Sequence, residues 1–242
     1  REGSTLVGSA VASAAGNWTI VLAAVADGTH TYAARAIDAA TNESGPTTRT
    51  VTVDTVLPET TITGGPTGLT NDTTPTFTFS SEPGATFECS IDGAGHTACP
   101  NPYTTPPLGQ GPHTLSVRAV DPAGNRDNTP ATRSFTVDSI APAAPNITAP
   151  AENDLLATST VTLTGTAEAG STVQVREGAA VRGSATATGG NWSVQITNVP
   201  DGSHQYTVRA TDAAGNTGPA AARTVRVDTG APDTTIESGP SG

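Results

Sequence analysis

Apolar and polar residues alternate with a period of two along short segments of the chain, which is the pattern of half-buried β-strands. Between residues 142 and 231 it predicts strands at 160–164, 172–177, 192–196, 204–211 and 223–227, with a weaker strand after Gly178 and a short opening strand near Ile147. Turn sequences such as Pro200-Asp-Gly separate these strands. No segment has the apolar periodicity of a helix. The pattern predicts an all-β fold, an antiparallel sandwich of about seven strands.

The strongest predicted strand recurs along the chain. The sequence HTYAARAID at 30–38 returns as HQYTVRATD at 204–212, an offset of 174 residues, and a looser copy, HTLSVRAVD, occupies 113–121. A fixed internal period indicates one small structural unit copied in tandem. Function is therefore expected to belong to the array rather than to a single pocket.

The copies divide the chain into four segments. Residues 142–231 form a complete domain with a tryptophan in its core, and residues 58–141 follow the same plan with phenylalanines and two cysteines instead. Residues 1–57 match only the C-terminal part of the tryptophan-containing type, and 232–242 match the start of the other type. We expect the chain to be an excerpt of a longer polypeptide. The strands that complete residues 1–57 would then come from that polypeptide or from a neighbouring chain.

Composition narrows the possible partners. The net charge is −11, all eleven basic residues are arginine, and aromatic residues make up 4% of the chain. Nucleic acids and anionic membranes bind basic surfaces, so neither is an expected partner. No apolar run approaches the length of a transmembrane helix, so we expect no membrane insertion.

The two cysteines, Cys89 and Cys99, flank the turn sequence Asp92-Gly93. Two strands joined at this turn would face each other and bring the thiols together. We predict a disulfide across this hairpin, and two free buried thiols are the alternative. A structural disulfide implies an oxidising compartment and hence an exported protein.

Several motifs together resemble bacterial immunoglobulin-like repeat domains. They are Gly165-Thr-Ala-Glu-Ala-Gly-Ser-Thr-Val, Gly190-Asn-Trp-Ser-Val, Asp212-Ala-Ala-Gly-Asn and the linker pattern Val-Asp-Thr-x-Ala-Pro. The resemblance covers essentially the whole chain, and the first unit departs from it at Thr41, where the others have Gly124 and Gly215. It implies tandem sandwiches in a large surface or secreted adhesin-type protein, located outside the cell, that act as a stalk. The short, proline-ended linkers predict an extended array.

Two alternative functions stay open. In the first, the array is the wall of an extracellular filament, with chains packed side by side. In the second, it is an accessory, carbohydrate-binding region of a secreted hydrolase. The expected partners are neighbouring domains of the same polypeptide or of adjacent chains, and the sequence does not identify a receptor.

Repeated aspartates are the candidate metal ligands. One set follows the strongest strand and the other precedes each linker: Asp38, Asp121 and Asp212, and Asp54, Asp138 and Asp228. Calcium takes six to eight oxygen ligands, and carboxylates that meet at a domain junction would supply some of them. The resemblance supports calcium, because some large adhesins of the family bind it near junctions. In the alternative interpretation, these side chains accept backbone N–H bonds within turns.

Other repeated residues favour a structural interpretation. His30, His113 and His204 each begin the strongest strand, and a catalytic histidine would not be copied into every unit. We interpret them as ordinary strand positions near the surface. Trp18 and Trp192 alternate with aliphatic residues, which predicts core positions rather than sugar-binding platforms. No phosphate loop or nucleophile elbow is present, and we expect no enzymatic activity and no cofactor other than calcium.

Overall fold

The computed structural model describes residues 1–235 and 237, and within them the secondary structure consists of eighteen strands without a helix. Residues 1–103 contain β1 (Gly28–Ala34), β2 (Thr47–Val53), β3 (Thr61–Gly64), β4 (Leu69–Thr70), β5 (Thr76–Ser80), β6 (Thr86–Ile91) and β7 (Thr97–Cys99). Next come β8 (Tyr103–Thr104), β9 (Gly111–Val120), β10 (Ala131–Val137), β11 (Asn146–Ala149), β12 (Asp154–Leu156) and β13 (Val161–Thr166). The last are β14 (Thr172–Glu177), β15 (Ala180–Thr186), β16 (Asn191–Ile196), β17 (Gly202–Thr211) and β18 (Ala221–Val227).

The chain divides into two compact units. The first contains residues 1–64, 77–103 and 115–132, and the second contains 65–76, 104–114 and the residues from 133 onward. In the first unit β1 pairs with β2, β3 with β5, and β6 with both β7 and the C-terminal half of β9, all antiparallel. Buried residues of this unit alternate along its strands, among them Phe77, Phe79, Cys89, Leu115 and Val117.

The second unit contains the complete sandwich predicted between 142 and 231. One sheet has the order β11-β13-β16 and the other β12-β18-β17-β14-β15. Apolar side chains at alternate positions form the core, with Trp192 4% exposed and Tyr206, Val208 and Leu163 fully buried. The seven predicted strands are present, and the structure adds β12, a short strand that pairs parallel with the end of β18. Another short strand, β4, pairs parallel with β10 in the same unit.

Tandem repetition is visible in the strand pairings. In the first unit β6 pairs with β7 and β9, as β14 pairs with β15 and β17 in the second. The structure thus has the predicted all-β class, and the chain consists of three tandem sandwich-type repeats. Of the predicted fourth segment, 232–242, residues 236 and 238–242 lie outside the described residues, so that domain boundary stays a prediction.

The prediction for Trp18 was wrong. Its side chain is 55% exposed, whereas the matching Trp192 is 4% exposed. Trp192 lies on β16, which is hydrogen-bonded to β13, and residues 1–57 contain no counterpart of β13. Burial of this ring depends on a facing sheet that alternation along one segment does not reveal.

Candidate functional site: the interdomain joints

The linker at residues 54–58, called joint 1, is hydrogen-bonded from both sides. Before it, the Asp27 carboxylate accepts the Thr55 N–H at 3.0 Å and the Thr55 hydroxyl at 2.9 Å. After it, Asn125 Nδ2 donates to the main-chain carbonyl of Asp54 at 2.9 Å. The Asp54 carboxylate accepts the Val56 N–H at 3.0 Å, which closes a turn inside the linker. The whole joint lies within the first compact unit.

The linker at residues 138–142, called joint 2, repeats this arrangement within the second unit. Gln110 Oε1 accepts the Ser139 N–H at 3.0 Å, and the Asp138 carboxylate accepts the Ile140 N–H at 3.1 Å. Asn216 Nδ2 donates to the Asp138 carbonyl at 2.7 Å. Each joint is therefore fixed by one side chain of the preceding repeat and one asparagine of the following repeat.

The asparagine is positioned by the repeated aspartate four residues earlier. Asp121 Oδ1 accepts the Asn125 N–H at 2.8 Å, and Oδ2 accepts Asn125 Nδ2 at 2.7 Å. Asp212 and Asn216 make the same two bonds at 2.9 and 2.8 Å. Burial raises the pKa of both Asp121 and Asp212, but these hydrogen bonds outweigh it and leave each pKa below its ordinary value. This geometry is the turn-forming role that the sequence left open as the alternative to metal binding.

The first repeat forms the same loop in spite of Thr41. Asp38 accepts the Asn42 N–H at 2.8 Å, and its pKa is lowered chiefly by the Asn42 side chain. Thr41 adopts a φ of +69°, where Gly124 and Gly215 have +97° and +95°. A β-branched residue in this left-handed region is strained, so the surrounding hydrogen bonds determine the turn against the local preference.

Of the six aspartates predicted as calcium ligands, the structure brings two into one acidic group. Asp54 and Asp121 lie at joint 1 with Glu82, and one oxygen of each lies within 4.8 Å of the others. In the part of the chain that is described, Asp38, Asp138, Asp212 and Asp228 belong to no such group. Three carboxylates supply only part of a calcium shell, and those of Asp54 and Asp121 already accept backbone N–H bonds. Calcium at the junctions stays a prediction.

The other predicted pair is present. Cys89 and Cys99 form a disulfide with a Cα–Cα distance of 5.7 Å, on adjacent strands in which Cys89 is opposite Thr97 and Cys99 opposite Phe87. Asp92 and Gly93 both have positive φ, at +52° and +76°, as the predicted hairpin turn requires. The disulfide contributes to the stability of the middle repeat and leaves no free thiol in the chain.

The repeated histidines are less exposed and more engaged than sequence reasoning suggested. His204 is 9% exposed, and its Nδ1 and Nε2 atoms lie 2.7 Å from Glu177 Oε1 and 2.9 Å from the Pro200 carbonyl. The only sequence signal was their fixed place near the start of each copy of the strongest strand. Their partners lie on other strands and turns.

The three repeats match one family model along nearly their full length. A model described as bacterial Ig-like domain matches residues 1–55, 57–139 and 141–229. The chain belongs to the bacterial Ig-like domain family. Within these Ig-like domains, the linkers of joints 1 and 2 fall at the boundaries between successive matches. No protein of curated function shows significant sequence similarity to them.

Solved structures show the same fold. The fibronectin(III)-like modules of CbhA from Clostridium thermocellum are 18% identical to these Ig-like domains, with a TM-score of 0.51 over 70% of this chain and 94% of that chain. A 1.5-MDa bacterial ice-binding adhesin is 21% identical over 84% of this chain and 76% of that chain, with a TM-score of 0.31. The BSP domain of a biofilm-associated protein is 23% identical over 72% of this chain and 30% of that chain, with a TM-score of 0.28. Only the first likeness is close enough to support the fold assignment, and the other two contribute nothing further. Among the described residues, no helix has the length and apolarity needed to cross a bilayer.

Proposed function

We propose that this array of bacterial Ig-like domains is a stalk or spacer in an extracellular, cell-surface protein of the adhesin type. The observation that carries the proposal is the double anchoring of both linkers, by Asp27 and Asn125 at joint 1 and by Gln110 and Asn216 at joint 2. A linker whose N–H and C=O groups are bound by both neighbouring domains loses the freedom of a flexible tether. Such joints transmit position along an array, which is what a spacer needs.

Other features agree with this role. The disulfide between Cys89 and Cys99 suits an oxidising, extracellular location, and the net charge of −11 suits a solvated surface protein. We propose domain bounds of 1–57, 58–141 and 142–231, with a further domain from 232, and no enzymatic activity. The partners are adjacent Ig-like domains of the same or a neighbouring polypeptide.

Joint stiffness tests the proposal directly. Spin labels on cysteines introduced at the exposed residues Ser134 and Thr162 report the distance across joint 2 by pulsed electron paramagnetic resonance. We expect one narrow distance distribution in the parent chain and a broader one after Asn216→Ala, because the bond to the Asp138 carbonyl is lost. Asn42→Ala is the matched control, since Asn42 binds Asp38 in the same type of loop outside both joints. A broad distribution in the parent chain would contradict the spacer role.

The two alternative functions give different results. A filament wall predicts ordered fibres of the purified chain in electron micrographs, and dispersed particles favour the spacer. A carbohydrate-binding accessory region predicts binding to a glycan array that is lost when the exposed Trp18 is replaced. No observation in the structure favours either over the spacer.

A further inference from the structure

One constellation recurs ahead of each linker. The Nε2 atoms of His30, His113 and His204 lie 2.8, 2.9 and 2.9 Å from the main-chain carbonyl four residues earlier, that of Ala26, Gly109 and Pro200 respectively. The residue directly after that carbonyl is the one whose side chain binds the linker: Asp27, Gln110 and Asp201. Each histidine therefore holds the orientation of the peptide group that directly precedes the linker-binding residue.

In the tryptophan-type repeats a carboxylate lies within hydrogen-bond distance of the other ring nitrogen. His30 Nδ1 lies 2.5 Å from Glu2 Oε1, and His204 Nδ1 lies 2.7 Å from Glu177 Oε1. An ionised carboxylate and a carbonyl oxygen both only accept hydrogen bonds, and a neutral imidazole carries a single N–H. Only the doubly protonated ring donates to both partners.

The surroundings of His30 set the direction of its titration. Its hydrogen bond with Glu2, followed by that with the Ala26 carbonyl, raises the pKa of His30 above its ordinary value, and burial opposes this only in part. Tyr32 is stacked on the ring with centroids 6.1 Å apart, and burial raises the pKa of its phenol, so the phenol is neutral near pH 7. On β2, the residue opposite His30 is Val51 and the residue opposite Tyr32 is Arg49. Asp27 belongs to the turn itself, and residues 21–26, which line the same cleft as His30, are apolar.

From this geometry we propose that His30 is a positioning residue of joint 1, and that its protonated form holds the turn in which Asp27 binds Thr55. The inference rests on the proposed spacer function and adds its regulation: joint 1 is firm when His30 is charged and loosens when it is neutral. Because the pKa is higher in the folded chain, the contribution is complete below the ordinary value of about 6.5 and is lost as the pH rises through the folded pKa. At joint 2 the side chain that binds the linker is Gln110, which does not ionise.

Amide hydrogen exchange of the full chain tests this at the bond itself. The Thr55 N–H is the group bound by Asp27, and the Asn42 N–H, bound in the same way by the Asp38 carboxylate, is the internal control. After correction for intrinsic exchange, we expect the protection of Thr55 to fall by about three- to tenfold between pH 5 and pH 8, as expected for loss of one net hydrogen bond. The protection of Asn42 should change by less than about twofold over the same range.

Glu2→Gln separates positioning from simple packing. The amide oxygen still accepts from Nδ1 but carries no charge, so the midpoint of the Thr55 transition should move to lower pH, as should the His30 ring titration followed by ¹⁵N chemical shifts. Glu43→Gln removes a carboxylate paired with Arg35 at 3.2 Å, away from His30, and should leave both midpoints in place. Equal Thr55 protection at pH 5 and pH 8, or an unchanged midpoint in Glu2→Gln, would overturn the inference. Neither result would alter the joint 2 distance distribution that tests the spacer role.

Discussion

Gly218 lies directly against the main-chain carbonyl oxygen of Pro142. A Cβ atom built on Gly218 would stand 2.1 Å from that oxygen, far inside van der Waals contact. The Gly218 N–H also donates to the Ala210 carbonyl at 2.9 Å, so the backbone is fixed on both sides. The corresponding bond is made by Asp127 to Ala119 in the middle repeat and by Ser44 to Ala36 in the first repeat, so glycine at this position is particular to the last repeat.

Gly218→Ala is therefore expected to destabilise the last repeat. The added methyl group meets backbone rather than a side chain that can rotate, and overpacking of this kind costs about 1–3 kcal/mol. Thermal unfolding of the full chain measures the effect. Gly45→Ala is the control, because nothing lies within 4 Å of a Cβ there. Equal unfolding temperatures for the two variants would contradict the packing argument.

The two tryptophans should respond differently to the same substitution. Trp192→Ala empties a closed core and is expected to cost about 3–5 kcal/mol, whereas Trp18→Ala should cost less than about 1 kcal/mol because that ring is 55% exposed. Chemical denaturation measures both. In the parent chain, iodide should quench the fluorescence of Trp18 and spare that of Trp192. A similar cost for both variants would show that Trp18 is buried in solution.

Acid should weaken the loops that hold the joints. Hydrogen bonds from Asn125 and Asn216 leave the pKa values of Asp121 and Asp212 below their ordinary value although burial opposes this. A carboxylate whose pKa is lower in the folded chain than in the unfolded chain stabilises the fold at pH values above the unfolded pKa. This contribution is lost as the pH falls through the folded pKa. The urea midpoint of the parent chain should thus decrease below pH 4.

Asp212→Asn tests the source of this acid dependence. The variant should be less stable at pH 7 and should show a smaller loss of stability on acidification, because its amide does not titrate. Asp154→Asn removes the same charge at an exposed strand position and serves as the control. An acid profile of Asp212→Asn that parallels the parent would argue against the loop as the titrating site.

Much of the fold follows from local pattern. Alternation placed Tyr206, Val208 and Ala210 on one buried face of β17, and the Asp92-Gly93 dipeptide placed the hairpin that brings the cysteines together. The parallel edge strand β12 escaped prediction because Asp154–Leu156 is too short to show a period and pairs with residues about seventy positions later.

The joints were predictable only in part. The repeated aspartates marked the right loops, since Asp is a turn residue whose side chain binds nearby N–H groups. The sequence did not show what these loops bind. Asn125 donates to the Asp54 carbonyl 71 residues away, and Asn216 donates to the Asp138 carbonyl 78 residues away. The histidines were likewise predicted as ordinary strand positions, because the carbonyls and carboxylates that contact them lie on turns and on other strands.

The sequence by itself determined the all-β class, the tandem repetition, the alternating faces of the strands and the cysteine hairpin, because each depends on side-chain periodicity and turn chemistry within about ten residues. Only the tertiary structure decided that Trp18 is exposed, that the linkers of joints 1 and 2 are each bound from two repeats, and that His30 lies between Glu2 and the Ala26 carbonyl. These features depend on which distant segments face each other. That choice is made by the packing of sheets and the pairing of strands, which no local pattern specifies.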